Sequence, residues 1–278
     1  MENINLLNAM IQLELIMEKY ELIDIANDTL KIIKKHKKYK FNNTEIDISQ
    51  DLSYSKINSI LYKPNDDIEI RTNKGKFSNI EFTQSTTIDQ VISQNILDKH
   101  IGCLNFASAR HPGGGFFGGS RAQEESLCRS SGLYPCIEQF HEMYDYNKKL
   151  NGLYSDYIIY SPHVPFFKND NGKLTNLCWS SVITSPAVNT TNVKHNISVI
   201  PLTMIVRIRK ILTVAINNDV DVLILGAFGC GVFKNKPEDV AIYFKHWLID
   251  NNYKQYFDNV IFAIPDNNMY NIFKNIIK

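Results

Sequence analysis

From residue 66 to the end of the chain, short apolar runs alternate with stretches of helical spacing. That alternation restricts the fold more than any other feature. The runs are IEI at 68–70, NIEFTQ at 79–84, HIGCLNFAS at 100–108, DYIIYSP at 156–162, SVITSPAV at 181–188, DVLILGAF at 221–228 and NVIFAIP at 259–265. Several are continuously apolar instead of alternating, as strands buried on both faces are. Helical segments lie between them: 87–97, 202–217, one opened by Pro237 with Glu238 and Asp239 in its first turn, and a last one to Lys278. The prediction is an α/β domain of three layers, a sheet with helices on both sides.

The first 40 residues have a different texture. Leu6, Met10, Leu13, Ile16 and Met17 form one helical stripe, and Leu22, Ile25, Ala26, Leu30 and Ile33 form a second. The second ends in KIIKKHKKYK, for which contact with nucleic acid or an acidic polymer is the alternative to the favoured reading, a solvated helix end whose lysines complement the macrodipole. Residues 41–65 are polar and weakly patterned, a connection with one or two short elements.

With 30 Lys+Arg against 29 Asp+Glu, the charge balance argues against a dedicated nucleic-acid binder, which relies on excess cations to hold phosphates. Five cysteines without a CxxC pair exclude a zinc ribbon and make a disulfide framework improbable, so a reducing compartment is expected. The start of the chain has no basic segment and cleavage site of a signal peptide, and no apolar run approaches the roughly 20 residues of a membrane span. An intracellular protein, cytoplasmic or nuclear, is the expectation.

Glycine and arginine are unevenly placed. Five of the 13 glycines fall between Gly113 and Gly119 and three between Gly226 and Gly231, while three of the six arginines (Arg110, Arg121, Arg129) share one short stretch. Each glycine cluster follows an apolar run and leads into a helix, and ligands in such sheets sit beyond the carboxyl ends of strands. GAFGCGVF could aim backbone N–H groups at an anion, with Phe228 and Phe233 flanking the turn. It is neither a Walker loop nor a dinucleotide fingerprint, since the required Lys-Ser/Thr and the spaced acid are absent. In the other loop, Ser120 and Gln123 make an S-x-x-Q capping box, which starts a helix at Arg121. Glu124 and Glu125 then lie in its first turn, pointing back to the glycines. Adjacent helical residues diverge by about 100°, so the two carboxylates must divide their labour. Together, an anion cradle and a carboxylate pair suit a ligand with a diphosphate and a sugar beyond it, where glycosidic chemistry needs a proton donor.

At these residues the chain resembles a known family. NFASARHPGGGFFGGSRAQEESLCRSS looks like the catalytic loop of bacterial-type poly(ADP-ribose) glycohydrolases, whose signature is GGG, six to eight residues, then QEE; here seven residues separate Gly115 from Gln123. The likeness continues through YSPHVPFF, VITSPAVN and LGAFGCGVFKNKPEDVA, covering roughly residues 66–278. It implies a macrodomain with a mixed central sheet at 66–278, and a helical extension at 1–65 packed on it.

The resemblance also implies an activity, mainly exo-acting hydrolysis of the ribose–ribose bond that releases ADP-ribose. Glu125 would be the acid/base and Glu124 would position the distal ribose. Asn105, Gly113, Gly114, Gly115 and Gln123 would bind substrate around that ribose. Gly229, Cys230, Gly231 and Val232 would supply N–H groups to the diphosphate, with Phe233 against a sugar or base. Adenine would lie near Gln84–Thr87 and Ile264–Asp266. Neither metal nor cofactor is expected, and the partner is poly(ADP-ribose) on modified proteins, met by a monomer without membrane or sequence-specific nucleic-acid contacts. A non-hydrolytic ADP-ribose reader and a mono-ADP-ribosyl hydrolase are the alternatives.

Overall fold

The computed structural model describes residues 2–72, 75, 78–95, 98–195 and 197–278, with side chains from residue 12 onward in the first helix. In chain order the elements are α1 (Glu2–Leu30), a π-helical turn (Lys31–His36), β1 (Lys38–Phe41), β2 (Thr44–Asp47), α2 (Ser49–Ile57), β3 (Ile60–Tyr62), β4 (Asn79–Thr83), α3 (Thr87–Gln94) and β5 (Ile101–Phe106). There follow α4 (Gln123–Ser130), α5 (Tyr134–Glu138), α6 (His141–Lys148), β6 (Ile158–Lys168), β7 (Leu174–Ser185), α7 (Ile200–Asn217), β8 (Val222–Leu225), α8 (Pro237–Lys245), β9 (Asn259–Ala263) and α9 (Asn267–Ile277).

One sheet of seven strands organises the chain, in the order β3-β6-β7-β5-β8-β9-β4. The pairs from β7 through to β4 are parallel, and β6 runs against both of its neighbours. Successive side chains leave a strand on opposite faces, so an unbroken apolar run fills two cores at once. Val222 and Ile224 pack with α2–α6, whereas Leu223 and Leu225 pack with α7–α9. The expected three layers and mixed sheet are therefore present. Five parallel strands end at one edge, which places the segments after β4, β5, β7, β8 and β9 side by side there.

Several expectations are corrected. A boundary at residue 65 does not divide the structure, because β3 pairs with β6 inside the main sheet. Residues 68–70 form no strand: Asn217 accepts from the Arg71 N–H at 3.0 Å and donates to the Glu69 carbonyl at 2.7 Å, so side-chain bonds replace a ladder. The β6–β7 hairpin extends beyond its predicted runs, with a register shift between Ser161 and Val164. The helix expected over 87–97 ends at Gln94, and Leu97 lies outside the described residues.

The N-terminal helix forms, but its two stripes have opposite fates. Ala26, Ile32 and Ile33 are buried, while Leu13, Ile16 and Met17 are exposed; the side chains of Leu6 and Met10 lie outside the described ones. Lys168, itself buried, pins the later part of α1 by bonding Thr29 at 2.8 Å and pairing with Asp28 at 2.7 Å. Among the described residues no helix is long and apolar enough to cross a membrane.

Candidate active site

The loop after β5 and the start of α4 form one unit around two buried carboxylates. Glu124 is 1 % exposed and Glu125 7 %. Glu124 Oε2 accepts the Ser108 N–H at 2.7 Å, and its Oε1 accepts from Asn105 Nδ2 at 3.2 Å. Glu125 Oε1 accepts the Gly115 N–H at 2.8 Å, and its second oxygen has no partner among the described residues. Burial pushes the Glu124 carboxyl up to about 8, with its hydrogen bonds opposing the shift and the neighbouring Glu125 adding to it.

Gly114 is what allows this closeness. Its φ is +57°, and a Cβ there would collide with Glu125 Oε1 and lie 3.3 Å from Glu124 Oε2. Gly113 also has positive φ and lies over Tyr134 and Cys128. The N–H groups of this loop are consumed within the protein: Gly114 donates to the His111 carbonyl, Gly115 to Glu125, and Gly113 bonds the Glu124 carboxylate. Gly113, Gly114 and Gly115 therefore offer a ligand a close approach to the chain and not a set of free donors.

The predicted capping box is absent. Helix α4 begins at Gln123 with Ala122 as its N-cap and no side-chain cap bond, and Ser120 instead lies against Gly115. The Gln123 amide is fully engaged elsewhere: it accepts from the Phe106 N–H at 2.9 Å and donates to the Leu104 carbonyl at 2.8 Å and Thr87 Oγ1 at 3.1 Å. Its position is thus a tie between α4, β5 and α3. Asn105 pairs in register with Thr184 of β7 and donates to its hydroxyl at 3.1 Å. Asn105 Oδ1 is buried and, among the described residues, has no hydrogen-bond partner.

The loop after β8 treats its donors in the opposite way. Among the described residues, the N–H groups of Gly229, Gly231, Val232 and Phe233 meet no acceptor, whereas that of Cys230 donates to the Ala227 carbonyl at 3.1 Å. Cys230 is therefore removed from the expected donor set; its buried thiol is pushed up to about 12. Gly229 has φ +75°, and a Cβ there would stand 2.5 Å from Ala187 and 2.7 Å from Asn235. Asn235 braces the turn by donating to the Val188 carbonyl at 2.7 Å and the Gly229 carbonyl at 3.0 Å. Val232 is 71 % exposed at the lip, Phe228 is a core plug, and the Phe233 ring packs on Tyr154 with centroids 6.0 Å apart.

A cavity of about 250 Å³ continues along the same edge. Its walls include Thr86, Thr87, Phe106, Ile264, Asp266 and Met269, which brings together the two segments expected near adenine. Ser108, Thr184, Phe106 and Met269 were not foreseen from sequence. Ser108 reaches Glu124 through its main-chain N–H, and the others are joined only by strand register and helix packing. Phe117 is half exposed, with its ring edge-on to Tyr134 at 5.1 Å, and His111 is exposed.

Comparison with known proteins agrees with this geometry. The family described as microbial-type PARG, catalytic domain, matches residues 26–169, a span that begins inside α1. The poly(ADP-ribose) glycohydrolase from Thermomonospora curvata is 31% identical, with 93% of this chain and 100% of that one covered and a TM-score of 0.87. The same protein bound to the inhibitor ADP-HPD gives 32% identity, coverages of 92% and 99%, and a TM-score of 0.84. The poly(ADP-ribose) glycohydrolase from Deinococcus radiodurans in complex with ADP-ribose gives 33% identity, coverages of 82% and 97%, and a TM-score of 0.77. No curated protein matches the chain. With the carboxylate pair, the anion cradle and the cavity along one sheet edge, these likenesses lead to one conclusion: the chain belongs to the family of microbial-type poly(ADP-ribose) glycohydrolases.

Proposed function

We propose that this chain releases ADP-ribose from the ends of poly(ADP-ribose), with Glu125 as the acid/base at the ribose–ribose bond. One observation carries the assignment: Glu125 has one oxygen fixed by the Gly115 N–H and the other unbonded, whereas both oxygens of Glu124 are engaged. An acid/base needs a fixed orientation and one oxygen uncommitted, so that it can carry the proton to the leaving oxygen and later take one from water, and Glu125 meets both needs. Glu124, held by the Ser108 N–H and by Asn105 Nδ2, positions the distal ribose together with Asn105.

The terminal unit lies along the sheet edge. Adenine fills the cavity between 86–88 and 264–266, and the diphosphate takes the N–H groups of Gly229, Gly231, Val232 and Phe233. Glu125 protonates the bridging oxygen as the glycosidic bond breaks, and the positive charge developing on the sugar is eased by the ligand's own phosphates. Glu125, now a base, takes a proton from the attacking water.

The test compares release of ADP-ribose from poly(ADP-ribose) by the wild type, Glu125→Ala and Glu125→Gln, with ADP-ribose binding measured on each. Loss of roughly 10²–10⁴ in turnover with binding retained is expected. Turnover surviving in both variants would remove Glu125 from the role. Monomeric ADP-ribose as the first product marks exo action, and oligomers appearing first would contradict it.

A further inference from the structure

The three arginines clustered at 110–129 have unequal fates. Arg129 is buried and spent on structure, donating to the Ser120 carbonyl at 2.7 Å and Ser126 Oγ at 3.1 Å. Arg121 pairs with Glu18 of α1. Arg110 has neither kind of partner: among the described residues its guanidinium meets no carboxylate, carbonyl or aromatic ring, and its Nε is buried without a hydrogen bond. A desolvated donor left unpaired is costly, and it is tolerated where a ligand completes it.

Its backbone is held in place. The N–H groups of Arg110 and His111 lie 3.4 and 3.3 Å from Ser108 Oγ, and the Ser108 N–H itself holds Glu124. Arg110 is thus fixed two residues from a direct partner of the carboxylate pair. Strand order gives the direction of the substrate. The cavity is walled by the segments after β4 and β9 and reaches across to Phe106 at the end of β5 and one side of α4. The loop with unspent N–H groups follows β8, and the carboxylates stand at the start of α4 after β5. A chain laid along this edge reaches its scissile bond at β5, and whatever lies beyond that bond continues past the loop that carries Arg110. In poly(ADP-ribose) that next group is another ADP-ribose unit, whose diphosphate bears two negative charges.

We propose that Arg110 is the anchor of a leaving-side subsite, which binds the diphosphate of the polymer unit behind the scissile bond. This rests on the glycohydrolase reading above and adds a specificity determinant to it. A planar guanidinium can grip phosphate oxygens through two parallel N–H bonds, which a lysine in its place would not reproduce. The contact would favour polymer over ligands that end at the ribose, and it would not help to hold the ADP-ribose product.

The experiment compares wild type, Arg110→Ala, Arg110→Gln and Arg110→Lys in three measurements. These are kcat and KM on poly(ADP-ribose), kcat and KM on a nitrophenyl glycoside of ADP-ribose whose leaving group has no phosphate, and the Kd of ADP-ribose. The Ala and Gln variants should lose about tenfold or more in kcat/KM on polymer, the size of a hydrogen bond to a charged group. They should stay within about twofold on the glycoside and on ADP-ribose, and Lys should recover only part of the polymer loss. Added salt should weaken the wild type on polymer more than the Ala variant, since an ionic contact is screened. Equal losses in all three measurements would make Arg110 a support of the loop and overturn the subsite, as would unchanged polymer kinetics. A wild type that cleaves no polymer would overturn the glycohydrolase reading itself, before any variant is considered.

Discussion

Two glycine-rich loops stand side by side at one edge of the sheet and use their glycines for opposite ends. In the loop after β5, glycine N–H groups turn inward to the two carboxylates and to the loop itself, and the gain is close packing of Glu124 and Glu125. In the loop after β8, four N–H groups meet no acceptor among the described residues, which leaves the donors that the proposed diphosphate site would use. Similar composition therefore predicts nothing about which chemistry a loop performs. An acid follows each loop at similar spacing, Glu125 ten residues beyond Gly115 and Glu238 nine beyond Gly229. What differs is that Glu125 folds back to accept the Gly115 N–H, whereas Glu238 takes no N–H of its loop among the described residues.

The largest test of this contrast is Gly114→Ala. The new methyl has no room beside Glu125 Oε1, and φ +57° adds backbone strain. ADP-ribose release should fall by about a hundredfold or more, because a displacement of roughly 1 Å at a catalytic group costs that much. Steady-state turnover together with a melting curve would show it, and near-normal turnover would mean the two carboxylates tolerate displacement.

Within the second loop, position matters more than residue type. Gly229→Ala meets Ala187 and Asn235 at positive φ, whereas at Gly231 a Cβ finds nothing within 4 Å. Gly229→Ala should therefore weaken ADP-ribose binding about tenfold and destabilise the fold by roughly 1–2 kcal/mol. Gly231→Ala should change both much less, and calorimetric titration of ADP-ribose into each variant makes the comparison. Equal losses would show that the loop responds to any added methyl and not to strain at one residue.

A smaller effect concerns pH. Glu124 has its carboxyl raised from 4.5 to about 8 in the folded chain. Between those values the folded state holds a proton that the unfolded state has released, so stability is greatest at the acid end and declines as pH rises through the window. The slope contributed by one such group is at most about 1.4 kcal/mol per pH unit. Melting temperatures from pH 5 to 8 should fall in the wild type and fall less in Glu124→Gln. Parallel curves would place the proton elsewhere. The smallest effect is expected for Cys230→Ala, which removes no N–H from the cradle and should leave ADP-ribose affinity within about twofold, measured by the same titration.

The misread positions share a physical reason. Ser120 and Gln123 have the spacing of a capping box, yet the Gln123 amide is claimed by Thr87, Leu104 and Phe106, residues 17 to 36 positions away. Local spacing cannot weigh a bond to a distant strand. Cys230 sits among free donors, but one turn bond to Ala227 withdraws its N–H. Ile60–Tyr62 is too short to carry an alternation signal and becomes a strand only because β6 offers it an edge. The exposed half of α1 shows the same limit, since helical spacing specifies a face but not whether anything covers it.

By itself, the sequence determined the layered α/β architecture, because an unbroken apolar strand has to be covered on both faces. It also determined the two loops, because glycine clusters and paired acids are local and chemically distinctive. Only the tertiary structure decided, among the described residues, which oxygen of which glutamate is free, which N–H groups remain unspent, and which arginine of the 110–129 cluster has no partner for its guanidinium. Those are questions of hydrogen-bond accounting across the whole chain. Each donor's partner depends on what strand register and helix packing bring within about 3 Å of it.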